Sequence, residues 1–448
     1  MKQSHRLAVA GTLLAVPLFF AVASDAATIC VDPNNAPPCQ ATIQGGVDAA
    51  SAGDTVKIVP GTYPGKVVIP ATKPGLILAG VDQVIITPGS ADGIRVQAIN
   101  VTLKTLTVQG GHHGIGLHGG STGAHVLQVR VQGTSSDCIV VESPNVEIVD
   151  SELSDCGNDG IDANRNDTHA LSVRNTTITG FGSNKNGIHV DRENAQLEGN
   201  TIDGQGSGRD CIEAQSDNAV VQRNTVNNCG QDGIEVIGAN PTIVGNVATA
   251  ASRKGYEVRC LGACADGLVQ NNTASQGSDD GFDIRSESAG LLVKKNQASE
   301  NGDRGFVLRG SGGIEVRNNQ ALNNGVGDND DGFKIYGANH ILRGNKAQGS
   351  ADDGFDIEAS KVQLINNKAN GNSEDGFDVG GGRTFVGLTK NQADDNVFQG
   401  IEVEKTASFT TVERNKASGN QIDFCDAGTN TTVSGNSFGT TQTGSCPN

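Results

Sequence analysis

A short motif recurs along this chain at nearly constant spacing, and this recurrence restricts the possible folds more than any other feature of the sequence. The motif is a Gly, often preceded by Asp, followed by Ile or Phe, any residue, and Val, Ile or Leu, and fifteen copies follow one another at steps of 21 to 27 residues. Its glycine position is occupied in turn by Gly93, Gly114, Cys138, Gly160, Gly187, Cys211, Gly233, Gly255, Gly281, Gly305, Gly332, Gly354, Gly376, Gly400 and Gln421. A regular period of this length indicates a solenoid, in which each repeat packs on its neighbours along one axis.

The pattern inside each copy predicts strands and excludes helical repeats. After Gly281, the apolar Phe282 and Ile284 alternate with the charged Asp283 and Arg285, which is the period of two expected of a strand. A second strand-like stretch follows in each copy and ends in Asn, and the leucine pattern of leucine-rich repeats is absent. We therefore predict an all-β fold, a single-stranded parallel β-helix of about fifteen coils.

A column of asparagines marks the ends of these second strands. Its members are Asn200, Asn224, Asn246, Asn272, Asn296, Asn319, Asn345, Asn367, Asn391, Asn415 and Asn436. Asn tolerates a left-handed backbone and hydrogen-bonds nearby backbone groups. Stacked at one corner of successive coils, these side chains can bond along the axis, so we predict a structural role for them. We predict a turn role for most motif glycines and for the Asp before each of them.

These features together resemble the right-handed parallel β-helix repeat proteins of the pectate-lyase-like superfamily, from about Gly53 to the C-terminus. The resemblance includes residues 42–56, where Thr42 can cap a short helix with Ile43 and Val47 on one face. It implies a right-handed β-helix whose open end is closed by that helix. We divide the chain into a signal peptide (1–26), an N-terminal cap with the short helix and first strand (27–60), the β-helix repeats (61–424) and a disulfide-stapled C-terminal cap (425–448).

The N-terminus indicates export. Lys2 and Arg6 precede an apolar run over 7–23 and a stretch of small residues, which is typical of a cleaved signal peptide. No second apolar run is long enough to predict a membrane span. The protein is expected to be secreted, periplasmic or at the cell surface.

The cysteines agree with an oxidising compartment. The chain has 10 of them, and they form five local couples, two of which are 18 residues apart in the same repeat context. We predict disulfides that join Cys30 to Cys39, Cys138 to Cys156, Cys211 to Cys229, Cys260 to Cys264, and Cys425 to Cys446.

The charge of the chain restricts its partners. Its 33 basic and 50 acidic residues give a net charge of -17. Without a basic stripe to neutralise phosphates, we expect no nucleic-acid partner. With 36% hydrophobic residues, the chain is also unlike a disordered acidic tail.

Basic residues nevertheless gather in one part of the predicted outer face. At four residues after the motif glycine, Arg259, Arg285 and Arg309 fall on three successive coils, and Lys334 and Tyr336 follow on the next. One interpretation is an ion-pair ladder in solvent. The other is a site for an acidic polysaccharide, in which the guanidinium groups bind uronate carboxylates and Tyr336 stacks on a sugar ring.

The resemblance adds chemistry to this surface, because the superfamily contains lyases, hydrolases and epimerases that act on acidic polysaccharides. Its polyuronate lyases often place a carboxylate-bound calcium beside an Arg or Lys that takes the C5 proton. By this resemblance Glu257, Asp280 and Asp283 would hold calcium. Arg285 or Lys334 would be catalytic, and Arg259, Arg309 and Tyr336 would bind substrate; no other cofactor is implied.

An alternative acid–base hypothesis makes His189 catalytic, because it faces outward with Asp191 and Asp162 nearby in the repeat pattern. Asp162 and Asp191 would then bind substrate. Asp328–Gly332 is similar to the start of a calcium loop but lacks the bidentate Glu that should follow. The even repeat steps leave little room for active-site loops. A non-catalytic carbohydrate-binding, adhesive or structural surface protein therefore stays open beside the lyase or epimerase.

Overall fold

The computed structural model describes residues 26–34, 37–164, 169–327 and 330–447. The predicted signal peptide lies outside the described residues except for its last position, as do Asp328 and Asn329 of the predicted calcium loop. Within the described ranges the chain forms one α-helix, Ile43–Ala49, and short strands in three parallel sheets. The three sheets are called A, B and C, and each coil contributes one strand to each of them in that order. The chain is therefore a parallel β-helix, as predicted.

Sheet A contains strands Thr28–Val31, Thr55–Ile58, Ile77–Gly80, Thr102–Lys104, His125–Leu127, Glu147–Val149, Ser172–Arg174, Gln196–Glu198, Val220–Gln222, Thr242–Val244, Leu268–Gln270, Leu292–Lys294, Glu315–Arg317, Ile341–Arg343, Gln363–Ile365, Gly387–Thr389, Thr411–Glu413 and Thr432–Ser434. Sheet B contains strands Gly61–Pro64, Val84–Thr87, Thr107–Gln109, Arg130–Gln132, Glu152–Ser154, Thr177–Thr179, Thr201–Asp203, Thr225–Asn227, Val247–Thr249, Thr273–Ser275, Gln297–Ser299, Gln320–Leu322, Lys346–Gln348, Lys368–Asn370, Gln392–Asp394, Lys416–Ser418 and Ser437–Phe438.

Sheet C contains strands Val67–Ile69, Ile94–Val96, Ile115–Leu117, Ile139–Val141, Ile161–Ala163, Ile188–Val190, Ile212–Gln215, Ile234–Gly238, Tyr256–Cys260, Phe282–Ser286, Phe306–Arg309, Phe333–Ile335, Phe355–Ile357, Phe377–Val379, Gln399–Val403, Ile422–Asp426 and Thr441–Thr443. These are the motif strands. The described residues form about 17 turns instead of fifteen, because Val67–Ile69 and Thr441–Thr443 belong to coils that lack the motif.

The register of sheet C is the one that the motif spacing predicts over most of its length. Phe282 pairs with Phe306, and Phe306 with Phe333, so the glycines before them lie on successive coils. The predicted position of the last copy is wrong. Glu402 pairs with Cys425, so the residue that lies beside Gly400 on the next coil is Asp423 and not Gln421. A shift of two residues keeps the same side chains inward, and the alternating pattern therefore does not distinguish the two registers.

The core is a stack of inward side chains with the same residue type on successive coils. Six aromatic side chains form its central part, with neighbouring ring centroids 4.6 to 4.8 Å apart: Tyr256, Phe282, Phe306, Phe333, Phe355 and Phe377. Aromatic pairs add about 0.5–1.5 kcal/mol each beyond the area they bury. The strands are three residues long in most coils, so stacking between coils stabilises them.

The N-terminal helix closes the end of this core, as expected. The Thr42 hydroxyl accepts the Gly45 N–H at 3.0 Å, which caps the helix. Ile43 and Val47 are buried against the first coil. Gly46 permits the close approach, because a Cβ there would lie 2.5 Å from Val31 Cγ2.

Disulfides cross-link the chain at both ends and along the repeats. All five predicted pairs are confirmed, with Cα–Cα distances of 4.5 to 5.9 Å. They join Cys30 to Cys39, Cys138 to Cys156, Cys211 to Cys229, Cys260 to Cys264, and Cys425 to Cys446. Disulfides of this number are typical of an oxidising compartment.

Polar ladders join the coils as well. The asparagine column is a continuous hydrogen-bonded ladder from Asn200 to Asn436. A second ladder, not predicted, links Asn301 to Asn324 and, further along, Asn372 through Asn396 to Asn420. The proposed boundaries between caps and repeats stay a prediction.

Candidate functional site

The outer face of sheet C carries rows of polar side chains, whose register follows the spacing of the motif. Glu213, Glu235, Glu257 and Asp283 follow one another on successive coils. This row is less exposed than its outward position suggests, since Glu213 is 1% and Asp283 9% exposed. Burying several carboxylates side by side is unfavourable unless cations or protons compensate their charge.

The three arginines Arg259, Arg285 and Arg309, called the Arg column below, lie on successive coils as predicted. Arg259 pairs with Arg285, and Arg285 with Arg309, at the outer edge of three adjacent strands. Their side chains are 46%, 55% and 39% exposed in that order. Arg259 forms an ion pair with Glu257, and Arg309 Nε donates to Asp283 at 3.0 Å. The column is therefore linked to the buried carboxylate row beside it.

Lys254 is the main residue of this site that sequence reasoning missed. Its ammonium group lies 2.8 Å from Glu257 Oε2 and 2.7 Å from Asp283 Oδ2, and so joins two coils. Burial would raise the pKa of Glu257, but Lys254 and then Arg259 hold it below its usual value. A signal existed in the sequence, because Lys254 stands directly before Gly255, where most copies have Asp.

The three residues predicted to hold calcium are divided between two places. Glu257 and Asp283 share Lys254, whose ammonium already supplies positive charge between them. Asp280 lies with Asp279 and Asp303 in another acidic group whose oxygens are within 4.8 Å of one another. Burial is the main cause that raises the pKa of Asp280 to about 7.

Lys334 and Tyr336 lie next to the Arg column, as predicted. Lys334 forms an ion pair with Asp356 and lies 3.5 Å from Asp331. The Tyr336 ring is 44% exposed, with the Arg309 guanidinium 5.0 Å from its centroid and the Lys334 ammonium at 5.9 Å. A cation held over one part of the ring still leaves an exposed aromatic surface beside the column.

His189, Asp191 and Asp162 form a second cluster. His189 Nε2 lies 3.0 Å from Asp191 Oδ1 and 3.8 Å from Glu213 Oε2, and its Nδ1 is 4.0 Å from Asp162. Burial opposes protonation, but Asp191 and Glu213 raise the pKa of His189 above its usual value. Burial also raises the pKa of the adjacent Asp159 to about 6. Groups that titrate near neutrality are suited to proton transfer.

The Asp before each motif Gly has a structural role in most coils. Its Oδ1 accepts the N–H of the equivalent residue one coil further on, at 2.6 to 3.3 Å, in Asp137, Asp159, Asp210, Asp232, Asp280, Asp331, Asp353 and Asp375. The predicted turn residues are thus also a ladder along the rim of sheet C. This ladder adds to the acidity of the face.

Near its C-terminal end, the face forms a groove lined mostly by acidic side chains. A cavity of about 260 Å³ is lined by Asp353, Glu374, Asp375, Asp378, Phe398, Gln399, Glu402 and Glu404. Among the described residues no Lys or Arg forms an ion pair with any of these carboxylates. Burial, followed by the neighbouring Glu402, raises the pKa of Asp375 to about 8. Burial thus favours the protonated form of Asp375, whereas Lys254 and the arginines compensate buried carboxylates elsewhere on the face.

Within the described part of the chain, no helix has the length and apolar character needed to cross a membrane. None of the curated proteins matches this sequence. Solved structures similar to the chain include the Azotobacter vinelandii mannuronan C-5 epimerase AlgE4 A-module, with 15% identity, a TM-score of 0.32, and coverage of 88% of this chain and 90% of that one. An alginate lyase from Paenibacillus is 14% identical with a TM-score of 0.33, over 63% of this chain and 94% of that one.

A mutant tailspike protein of the E. coli bacteriophage HK620 is 12% identical, with a TM-score of 0.46 and coverage of 87% of this chain and 78% of that one. The family described as "Right handed beta helix region" matches residues 186–329 and 323–438. These ranges cover more than half of the chain and contain the Arg column, Lys254 and His189. The chain belongs to the right-handed β-helix family.

Proposed function

We propose that the outer face of sheet C binds an acidic polysaccharide outside the cytoplasm, and that the Arg column is its main contact. The observation that carries this proposal is the alignment of Arg259, Arg285 and Arg309 on three successive strands, with all three side chains partly exposed. Strand spacing sets the backbones that carry these arginines about 4.8 Å apart. A row at this spacing can bind successive carboxylates of a polymer lying along the axis.

The local charge supports binding of an anion although the whole chain is acidic. Around the column, the cations are Lys254, Arg259, Arg285 and Arg309, and their partners are Glu257, Asp283 and Glu287. These ion pairs contain one more cation than carboxylate, and the remaining neighbour in the row, Glu235, has a pKa that burial raises to about 7. Among the described residues, the ion-pair partner of Arg285 is the exposed Glu287, which lies outside the buried row, and Arg285 is the most exposed arginine of the column, at 55%. Its guanidinium is therefore the most available to a ligand.

The test is binding of polygalacturonate, alginate and a glycosaminoglycan, with neutral dextran as a reference, measured by calorimetry. We expect Arg285→Ala to weaken binding of the preferred acidic polymer about tenfold, the loss of one charge-assisted hydrogen-bonding group. Arg317→Ala is the matched control, since Arg317 is an exposed, Glu-paired arginine on sheet A. Absence of binding by the wild type, or equal effects of the two substitutions, contradicts the proposal.

A second candidate function is polyuronate lyase or epimerase activity, and the His189 cluster favours it. A base that removes the C5 proton must titrate near the working pH. His189 has three carboxylates within 4.0 Å and a raised pKa. Four strand steps separate His189 from Asp283, about 19 Å, so the cluster and the Arg column would contact different sugars of one polymer.

The resemblance-based assignment places the chemistry at the Arg column instead. There Arg285 or Lys334 would take the proton, and Glu257, Asp280 and Asp283 would hold calcium. The two assignments differ in their requirement for a metal. A chelator abolishes activity centred on calcium, whereas activity that needs only His189 persists.

Product formation decides between these functions. Lyase activity is read from absorbance of the unsaturated uronate, and epimerase activity from deuterium incorporation at C5 in heavy water. We expect His189→Gln to lower kcat by at least about 100-fold, as for loss of a general base. The control is His125→Gln, because His125 has a similar carboxylate partner, Glu147, on sheet A. Binding without any product from the wild type would support the non-catalytic carbohydrate-binding role.

A further inference from the structure

Two histidines and an aspartate meet at the N-terminal end of sheet C, away from both sites described above. Asp92 comes from one coil, and the adjacent His112 and His113 come from the next. One ligand atom from each of the three side chains lies within 4.8 Å of the others. His112 Nδ1 is 3.6 Å from Asp92 Oδ1, and the two imidazole centroids are 4.3 Å apart with their planes at 84°.

The surroundings hold two of these side chains in place. Asp92 Oδ1 accepts the His113 N–H at 3.4 Å. His113 Nδ1 lies 3.3 Å from Oδ2 of the buried Asp137, whose Oδ1 accepts the Asp159 N–H at 2.9 Å. A carboxylate fixed by the backbone thus lies beside the imidazole. Such a carboxylate behind the ring is typical of histidines that bind metals.

The cluster opens on a large cavity at this end of the molecule. This cavity has a volume of about 600 Å³ and is lined by Lys66, Val68, Ser90, Ala91, Asp92, Arg95, Gln97 and His112. His112 is 55% exposed at its side chain, so the cluster is accessible to an ion from solvent. Lys66 and Arg95 would attract an anionic ligand to the same place.

We propose that Asp92, His112 and His113 bind a divalent transition-metal ion, with open coordination positions toward the cavity. Two imidazoles and one carboxylate are ligands that favour zinc, copper or nickel over calcium, which prefers oxygen ligands alone. Three protein ligands leave at least one position of a tetrahedral ion for water or for an anion held by Lys66 and Arg95. The site differs from the predicted calcium groups in ligand chemistry and in its place in the fold.

Zinc is the probe for the first experiment, and the full mature chain is dialysed against it and analysed for bound metal. We expect one equivalent to bind at this site, with a loss of at least about tenfold in affinity in His112→Ala. That variant keeps the fold, because the His112 side chain is exposed. Asp137→Asn, which retains an oxygen for the Asp159 N–H, should weaken zinc about 10–100-fold as a positioning residue.

Cobalt provides a readout independent of activity, since its visible spectrum reports nitrogen ligation and coordination number. We expect the spectrum of the wild type to be lost in His112→Ala and in Asp92→Asn. It should be retained in His125→Ala, a histidine–glutamate pair on sheet A, and in His189→Gln. No zinc binding by the wild type, equal binding by His112→Ala, or loss of the cobalt spectrum in His189→Gln would overturn the proposal.

Discussion

At the residue scale, one side chain determines the charge balance of the Arg column. Lys254 replaces the usual Asp before the motif Gly and lies between Glu257 on its own coil and Asp283 on the next. Burial lowers the pKa of Lys254, but the hydrogen bonds to Asp283 and Glu257 outweigh it and raise that pKa. Lys254 therefore stays charged, and two buried carboxylates depend on it.

We expect Lys254→Met to destabilise the protein by about 3 kcal/mol, because the two buried carboxylates then each keep only one, partly exposed arginine partner. Thermal unfolding measures the change. Lys368→Met is the control, since Lys368 is exposed on sheet B. If Glu257 and Asp283 hold calcium as predicted, added calcium will stabilise Lys254→Met more than the wild type. Equal melting temperatures for the two variants would refute the role assigned to Lys254.

At the element scale, the asparagine ladder compensates for the shortness of the strands. Asn296 Oδ1 accepts the backbone N–H and the side-chain amide of Asn272, at 2.9 and 3.0 Å. Its own amide donates to Val269 and to Asn319, both at 2.9 Å. Each ladder residue thus joins several coils at a buried corner, where an unmade hydrogen bond is costly.

Asn296→Ala should lower the free energy of unfolding by about 2–4 kcal/mol, because it leaves two buried donors of Asn272 without an acceptor. Denaturant unfolding is the measurement. Asn227→Ala provides the comparison, since Asn227 ends a sheet B strand and makes none of these ladder bonds. A loss no larger than that of Asn227→Ala would show that water or a neighbouring group replaces the ladder bond.

The two asparagine ladders show when a repeat pattern can be recognised in the sequence. The first was predictable because Asn recurs in every coil from Asn200 to Asn436. The second was missed because it is interrupted. Ser350 occupies a position where the ladder would need an asparagine, and its N–H donates to Asn372. A column is visible in the sequence only when successive coils use the same residue.

At the scale of the whole molecule, a set of acidic side chains is buried along sheet C. Buried carboxylates along the rim and outer face of sheet C have raised pKa values, to about 7 for Asp210, Glu235 and Asp280 and about 8 for Asp375, with burial as the main cause. Unfolding returns these groups to their ordinary values. The folded state therefore binds more protons than the unfolded state between these limits.

The contribution of these groups to the free energy of unfolding is therefore largest below about pH 4. It falls as the pH rises and is lost above about pH 8. A series of melting temperatures across this range should show the decline. Asp375→Asn, which keeps an acceptor for the Gln399 N–H, should flatten the decline and be more stable than the wild type at the alkaline end. Asp395→Asn, an exposed change of equal charge, should not; the same slope in both variants contradicts the argument.

The β-helix, its short cap helix, the five disulfides, the asparagine ladder and the register of the Arg column were all predictable from the order of residues. All of these depend on local alternation and on a period repeated many times, which the order of residues contains directly. The burial of the outer row, the link from Glu257 through Lys254 to Asp283, and the meeting of Asp92 with His112 and His113 became apparent in the folded chain. These contacts depend on burial and on the direction of side chains between coils. Residues that are distant in sequence can bind the same partner, and the repeat pattern does not indicate which of them does so.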